Sequence, residues 1–306
     1  MDLRQLQYFC RIAESGSFRE AADRANVAQS ALSRHMRTLE DELGVILMER
    51  HARGIRLTPQ GEKLKLRADD ILRQVEETRL EMMTSRGGLQ GKVTLGASAT
   101  TGRLLYARLA ETASERYPLI ELNMTEGASY YLLEGLDTGR IDLAVMVDPE
   151  PRSYLTNEAL VAEKVYLVGA ARHADMPTGP CTLQDLAGRP LVLFSRPSGS
   201  RTLIETAAAA QRITLNVRFD ATSPDVIKDF VRRGLGYGVM PYSSIFRDVA
   251  AGELVSTEIE GIALTRTFIR RTDRPSSPAV TAIADLIREE FTELENEGMF
   301  GVASAS

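Results

Sequence analysis

The sequence predicts a multidomain α/β protein, with a winged helix-turn-helix at the N-terminus, a long connecting helix, and a larger C-terminal α/β part. Three observations carry this. Residues 15–61 hold two helical patterns in quick succession and then a short basic hairpin. Residues 62–86 are charged and free of glycine. From Lys92 onward, short apolar runs alternate with helical periodicity, the mark of strands and helices following one another.

The first helix pair starts at Ser17, three residues before Glu20, the spacing at which each side chain satisfies a free N–H of the other. Ala21, Ala22 and Ala25 recur at helical spacing and let a second helix come close, and Asn26 suits a left-handed helix end. The second helix spans about 29–43, with Leu32, Met36, Leu39 and Leu43 as its buried stripe. Its other face opens with Gln29, Ser30, Ser33, Arg34 and Arg37. Amide, hydroxyl and guanidinium groups in the first turns of a helix are what reading base edges and gripping phosphates require. Taken alone, the same face also reads as the solvated side of an ordinary helical hairpin. The continuation weighs against that, because Leu47, Ile55 and Leu57 bracket a hairpin carrying Arg50, Arg53 and Arg56. Arginines at a turn tip suit phosphates or the minor groove.

Thr58-Pro59 is an N-cap followed by proline at the first helical position, so a new helix opens there and runs to Gly87-Gly88. Leu64, Ala68, Ile71, Val75, Thr78 and Met82 repeat at alternating four- and three-residue steps, a narrow seam best buried against a twin helix. Beyond it, strands are expected at 93–96, 121–125, 141–147, 165–170, 190–194, 215–219, 237–240 and 264–270, in a parallel sheet. Helices are expected at about 103–116, 130–138, 201–211, 224–233 and 278–295. Ligands in such sheets collect beyond the carboxyl ends of the strands, where helix N-termini offer free N–H groups. Three strand-to-helix joints carry hydroxyls: Ser98, Thr100 and Thr101; Ser195, Ser198 and Ser200; Thr222 and Ser223. Facing one cleft, they would suit a small anion such as a carboxylate, with Asp148 at a strand end on the same side and Arg196 and Arg201 adding charge. Helix capping explains the same hydroxyls one by one.

Composition bounds the partners. The 306 residues allow two or three compact units. Residues 1–60 hold nine Arg and eight Asp or Glu, a net of +1, so the remainder carries −6 of the total −5. Charge placement therefore matters more than the sum, and useful DNA affinity calls for more than one reading head. No apolar run approaches the roughly 20 residues of a membrane span, and MDLRQLQYF lacks the pattern of a secretion signal. Two unclustered cysteines and three scattered histidines point to a reduced cytoplasm and to neither a disulfide framework nor a metal site.

In order and spacing, LRQLQYFCRIAESGSFREAA, VAQSALSRHMRTLEDELGV and ERHARGIRLTPQG closely resemble the LysR-type transcriptional regulators. The resemblance continues more faintly to about residue 290. The family often has proline where this chain has Ser30. The resemblance implies a DNA-binding domain over 1–58, a dimerising linker helix over 59–88 and an effector domain over 92–306 of the periplasmic-binding-protein type. That domain would have one lobe at about 92–161 and 265–295 and another at about 162–264. It further implies a homodimer or homotetramer on partly palindromic promoter DNA, a small-molecule effector, no cofactor, and contact with RNA polymerase if the protein activates. DNA contacts would fall on Ser17, Gln29, Ser30, Ser33, Arg34, Arg37, Arg53 and Arg56. Effector contacts would fall on Ser98, Thr100, Thr101, Asp148, Ser195, Ser198 and Thr222. IDLAVMVDPEP and LTNEALVAEKVYLVG look somewhat like the nitrogen-assimilation control branch, part of which acts without an inducer.

Other classes fit less of the chain. An α/β enzyme would need a site, but Gly96-Ala97-Ser98-Ala99-Thr100 lacks the second glycine of a nucleophile elbow. No phosphate loop ending in Gly-Lys-Ser/Thr and no G-x-G-x-x-G opening a helix is present. A solute carrier leaves the N-terminal helices unexplained.

Overall fold

A computed structural model describes residues 1–306 apart from 52–53, 84–87, 148, 150, 173–174, 178, 180, 274 and 302–306. Two compact units divide the chain, the first built on Met1–Gly87 and the second on most of the remainder.

The first unit opens with α1 (Leu3–Ser15), whose Asp2 and Gln5 side chains each accept the other's backbone N–H, at 2.7 and 2.8 Å. This reciprocal cap pins the helix start. α2 (Phe18–Ala25) starts on Ser17, which accepts Glu20 N–H at 3.4 Å. Only half of the expected capping box forms there: the Glu20 carboxylate instead takes Arg24 at 2.6 Å, and Ser17 N–H goes to Ser15 Oγ. Asn26 ends α2 in the left-handed region at φ 56°. α3 (Gln29–Leu43) buries Leu32, Met36 and Leu39 against Leu6, Phe9 and Ile12 of α1. Each such side chain contributes about 1.5–3 kcal/mol. Leu43 is 39 % exposed, contrary to expectation, because α3 runs a turn past the core it packs on.

The wing is an antiparallel pair, β1 (Met48–His51) and β2 (Gly54–Leu57), with Arg56 opposite Glu49. Its position is set by backbone contacts. Ile55 N–H donates to Gly16 O at 2.8 Å, and a Cβ on Gly54 would stand 2.8 Å from that same carbonyl. Gly54 also sits at φ +126°, so both space and backbone geometry call for glycine. At the other end, the Glu40 carboxylate accepts Leu47 and Met48 N–H at 2.7 and 3.3 Å, tying α3 to the wing's first strand.

α4 (Pro59–Met83) begins as expected, with Thr58 Oγ1 accepting Gly61 N–H at 3.0 Å. The apolar seam along it is split. Leu64, Ala68 and Ile71 join the core of their own unit, whereas Val75 and Met82 are 43 % and 72 % exposed. Its first half therefore packs at home, and only its second half lacks a partner among the described residues.

The second unit contains an eight-stranded sheet ordered β4-β3-β5-β10-β6-β9-β7-β8. The strands are β3 (Gln90–Ala97), β4 (Leu119–Glu126), β5 (Leu143–Val147), β6 (Glu158–Ala170), β7 (Leu191–Phe194), β8 (Val217–Ala221), β9 (Tyr237–Pro241) and β10 (Leu254–Arg270). The sheet is mixed, not parallel: β3 runs parallel to β4 and β5, and β7 to β8 and β9, but β10 is antiparallel to β5 and β6. β6 and β10 are far longer than expected. Charged residues such as Glu158, Glu163 and Lys164 break the apolar run that marks a buried strand.

These two strands pass through both lobes. Helices α5 (Ala99–Arg116), α6 (Ser129–Asp137) and α10 (Pro278–Asn296) cover the lobe of β3, β4 and β5. Helices α7 (Gly199–Ala210), α8 (Pro224–Arg232) and α9 (Tyr242–Ala250) cover the lobe of β7, β8 and β9. α9 has no counterpart among the expected elements, since it follows β9 directly from Pro241. Each lobe has a core on both sheet faces; in the first, Leu95, Leu105 and Phe291 lie on one face and Ile141, Met146 and Ile269 on the other.

Replacing Glu40 with Ala frees two backbone N–H groups at the wing's base. It is expected to lower unfolding free energy by about 1–3 kcal/mol, and an unchanged denaturation midpoint would show the carboxylate to be ornamental.

Candidate functional site

On the first unit, α3 starts at Ala28, which makes no side-chain cap bond, so no side chain of the cap residue occupies its first-turn N–H groups, of which Ala31 N–H goes to Ala28 O at 3.0 Å. Free N–H groups at a helix start attract phosphate. Gln29, Ser30, Arg34 and Arg37 are exposed and Ser33 is half-buried, with Ser30, Arg34 and Arg37 on the face opposite Leu32, Met36 and Leu39 and Gln29 at the helix start. Among the described residues, Arg34, Arg37 and Arg56 pair with no carboxylate. Arg24, by contrast, is tied to Glu20. Ser17 is occupied as the cap of α2, so its hydroxyl serves the helix first. Arg53 lies outside the described residues.

In the second unit, a cavity of about 250 Å³ collects residues from both lobes. Ser98 and Thr100 come from the start of α5, Ser195 and Ser198 from the β7–α7 joint, and Thr222 from the approach to α8. Ala99, Val147, Phe194 and Pro197 supply apolar wall. Asp148 lies outside the described residues. The hydroxyls at these joints are not helix caps: neither Ser98 on α5 nor Ser198 on α7 accepts a backbone N–H from the first turn of its own helix. Ser277 on α10 does, accepting Val280 N–H at 3.3 Å. Two cleft helices thus present uncapped N-termini.

Thr101 departs from expectation. It is fully buried and does not line the cavity, because one residue further along α5 turns it about 100° from Thr100, toward the sheet. Its Oγ1 shares a 2.9 Å bond with Ser98 and accepts from Arg266 Nη1. Arg266 on β10 also donates from Nε to Glu163 Oε2 at 2.8 Å and from Nη2 to Ser243 Oγ at 2.9 Å. Glu163 on β6 accepts Ser243 N–H at 2.7 Å. Both charged side chains are 0 % exposed. A buried ion pair therefore ties the two long strands to the starts of α5 and α9.

The arginines expected to favour an anion are engaged elsewhere. Arg196 holds both Glu205 oxygens at 2.7 and 2.9 Å, and Arg201 holds Glu205 at 2.6 Å and donates to Phe194 O. Those hydrogen bonds, Arg196's first, keep the Glu205 carboxyl below its ordinary range. Sequence reasoning missed a fourth joint, β4 to α6, which brings Glu126 and Ser129 to the cavity. Its signal was the same as at the other three, a hydroxyl directly after a strand and a small-residue turn, Gly127-Ala128-Ser129.

A winged helix-turn-helix joined to a two-lobed α/β unit with a hydroxyl-lined cleft defines a ligand-responsive DNA-binding regulator. Residues 3–62 match the bacterial regulatory helix-turn-helix protein, lysR family, and residues 86–292 match the LysR substrate binding domain. The chain belongs to the LysR family of transcriptional regulators. It is similar to the HTH-type transcriptional regulator BbuR of Bordetella bronchiseptica, 29 % identical over 98 % of this chain and 93 % of that one. It is also similar to the nitrogen assimilation regulatory protein nac of Escherichia coli, 31 % identical over 80 % and 79 % of the two chains. Among solved structures, a peroxide-bound OxyR mutant of Corynebacterium glutamicum is 26 % identical, with a TM-score of 0.62 over 97 % and 94 % of the chains. These relatives are regulators, not enzymes. No described helix is long and apolar enough to cross a membrane.

Truncating Arg266 to Ala strands the Glu163 carboxylate in the core. The expected cost is about 3–5 kcal/mol of stability, measured by thermal and denaturant unfolding, and a loss within error would mean that water solvates the site.

Proposed function

We propose that this LysR-family regulator acts in the cytoplasm as a homodimer or homotetramer on partly palindromic promoter DNA. A carboxylate-bearing metabolite in the interlobe cleft would bias its quaternary arrangement. α3 enters the major groove, with Gln29, Ser33 and Arg34 at base edges or adjacent phosphates, Ser30 and Arg37 on the backbone, and Arg53 and Arg56 of the wing on the flanking groove. The observation that carries this is the pair of exposed guanidiniums, Arg34 and Arg37, left without a carboxylate partner among the described residues, on a helix whose opposite face is core.

A first unit of net charge only +1 binds DNA weakly by itself, so two heads per site are needed. The exposed Val75 and Met82 half of α4 is the surface we assign to the twin helix. Two heads so joined read half-sites about one helical turn, roughly 34–36 Å, apart. The ligand acts only through its difference in affinity for the two arrangements. Ser98, Thr100, Ser195, Ser198 and Thr222 hold it, its carboxylate directed at uncapped helix starts. Where the protein activates, contact with RNA polymerase follows.

Peroxide sensing, suggested by the OxyR likeness, fits this chain poorly. Its two thiols are Cys10 and Cys181, 5 % and 0 % exposed. Burial, with Asp69 nearby, pushes Cys10 up to about 12, and burial with Asp185 nearby pushes Cys181 up to about 11. Peroxide attacks thiolates, which neither residue supplies at neutral pH.

Two measurements check this reading. Arg34→Ala should weaken promoter binding by about 1–3 kcal/mol with unfolding unchanged; equal gel-shift titration curves for the folded variant and parent would refute the assignment. Hydrogen peroxide should leave operator affinity unaltered, and a peroxide-dependent footprint lost in Cys181→Ser would overturn the thiol argument.

A further inference from the structure

Resting on the cleft as the effector site, we propose that its ligand is a small zwitterion, a carboxylate joined to a protonated amine, rather than a plain anion. The amine is held by Glu126.

Two features of opposite electrical sign line the cavity. One is the start of α7, with Ser198 uncapped, the Ser200 hydroxyl also in the lining, and no acidic residue in the first turn. Unsatisfied N–H groups and the positive end of the helix dipole make this a carboxylate site. The other is Glu126, the one ionisable side chain among the described lining residues. No cation pairs with Glu126 among the described residues, in a unit where Arg103, Arg108, Arg196, Arg201, Arg232 and Arg288 all hold carboxylates.

Glu126 is placed against the start of α5. Gly102 makes the room: a Cβ there would stand 2.8 Å from Glu126 Oε1. The field of this carboxylate is felt within the wall, where burial and then Glu126 push the Tyr106 hydroxyl well up. Tyr106 itself donates to Thr125 O at 2.6 Å and so cannot donate to Glu126.

A ligand entering this cavity covers Glu126 and strips water from it. A net anion would leave two like charges facing one another in a shrinking dielectric, which is unfavourable. A neutral ligand would leave Glu126 desolvated and unpaired. An ammonium satisfies it, with the Ser129 hydroxyl also in the lining. At about 250 Å³ the cavity lies below the usual pocket range of roughly 300–1,000 Å³. The ligand is therefore small, with little beyond its two charged groups, as in the compact amino acids.

The test is calorimetric titration of the full-length protein with the proteinogenic L-amino acids, β-alanine and ornithine. Each is run beside its deamino carboxylate, such as propionate beside alanine or succinate beside aspartate. The expected result is at least one amino acid that binds about tenfold or more tightly than its deamino partner. Glu126→Gln, an isosteric change at an exposed position, should erase that difference by weakening the amino acid and not the carboxylate. Three results overturn the proposal: a carboxylate binding as well as its amino acid, an amino acid affinity untouched by Glu126→Gln, or no binding by any amino acid. Thr100→Val separates the two levels of argument. An amino acid lost in Thr100→Val but indifferent to Glu126→Gln sinks the zwitterion and keeps the cleft, whereas binding indifferent to Thr100→Val sinks the cleft itself.

Discussion

The pair Arg266–Glu163 is the constraint on which the second unit depends. Two charges with no exposed surface cost several kcal/mol each to remove from water, and that cost is offset only when nearly every donor and acceptor is used. Here the guanidinium reaches Glu163, Thr101 and Ser243, and the carboxylate accepts the Ser243 N–H. The partners come from β10, β6, α5 and α9, so the requirement to satisfy one buried charge fixes the two shared strands and a helix start from each lobe. Thr101 is thereby withdrawn from the cleft. Ser98, bonded to Thr101, is held at its edge.

Helix starts in this molecule differ in whether a side chain caps them. Asp2, Ser17, Thr58 and Ser277 each accept an N–H from the first turn they precede. Ala28 on α3, Ser98 on α5, Ser198 on α7, Ser223 on α8 and Pro241 on α9 do not. Of these, the start of α3 lies on the surface assigned to DNA, and those of α5 and α7 at the cavity between the lobes. A cap that is already satisfied has nothing left for a phosphate or carboxylate; an open one does. Charge is handled in the same way on the first unit. Its nearly balanced count conceals a sorting, since Glu20 is engaged by Arg24 and Glu40 by the wing backbone, while Arg34, Arg37 and Arg56 stay unpaired among the described residues.

Much of this could be read from residues alone. The α2–α3 corner, the left-handed Asn26, the wing and the Thr58-Pro59 start follow from local rules of capping and turn geometry, which act within a few residues. Most strands and helices of the second unit appeared within a few positions of their expected places. The failures share a cause. The first half of β6 and of β10, the split seam of α4, the exposed Leu43 and the turned-away Thr101 all depend on what lies across from them. Glu163 looks like a surface residue until Arg266 is placed opposite it. Glu126 was passed over because a charged residue at a strand end is usually just solvated, and only the other three joints make it part of a cavity.

Family and module order were thus settled by sequence, because they rest on short-range patterns that a chain cannot hide. Tertiary structure alone decided which hydroxyls face the cleft, which arginines are already engaged, and that the cavity carries an acid. Those properties arise when residues far apart in the chain, as Glu163 and Arg266 are, share one buried space, and no periodicity along the chain encodes that meeting.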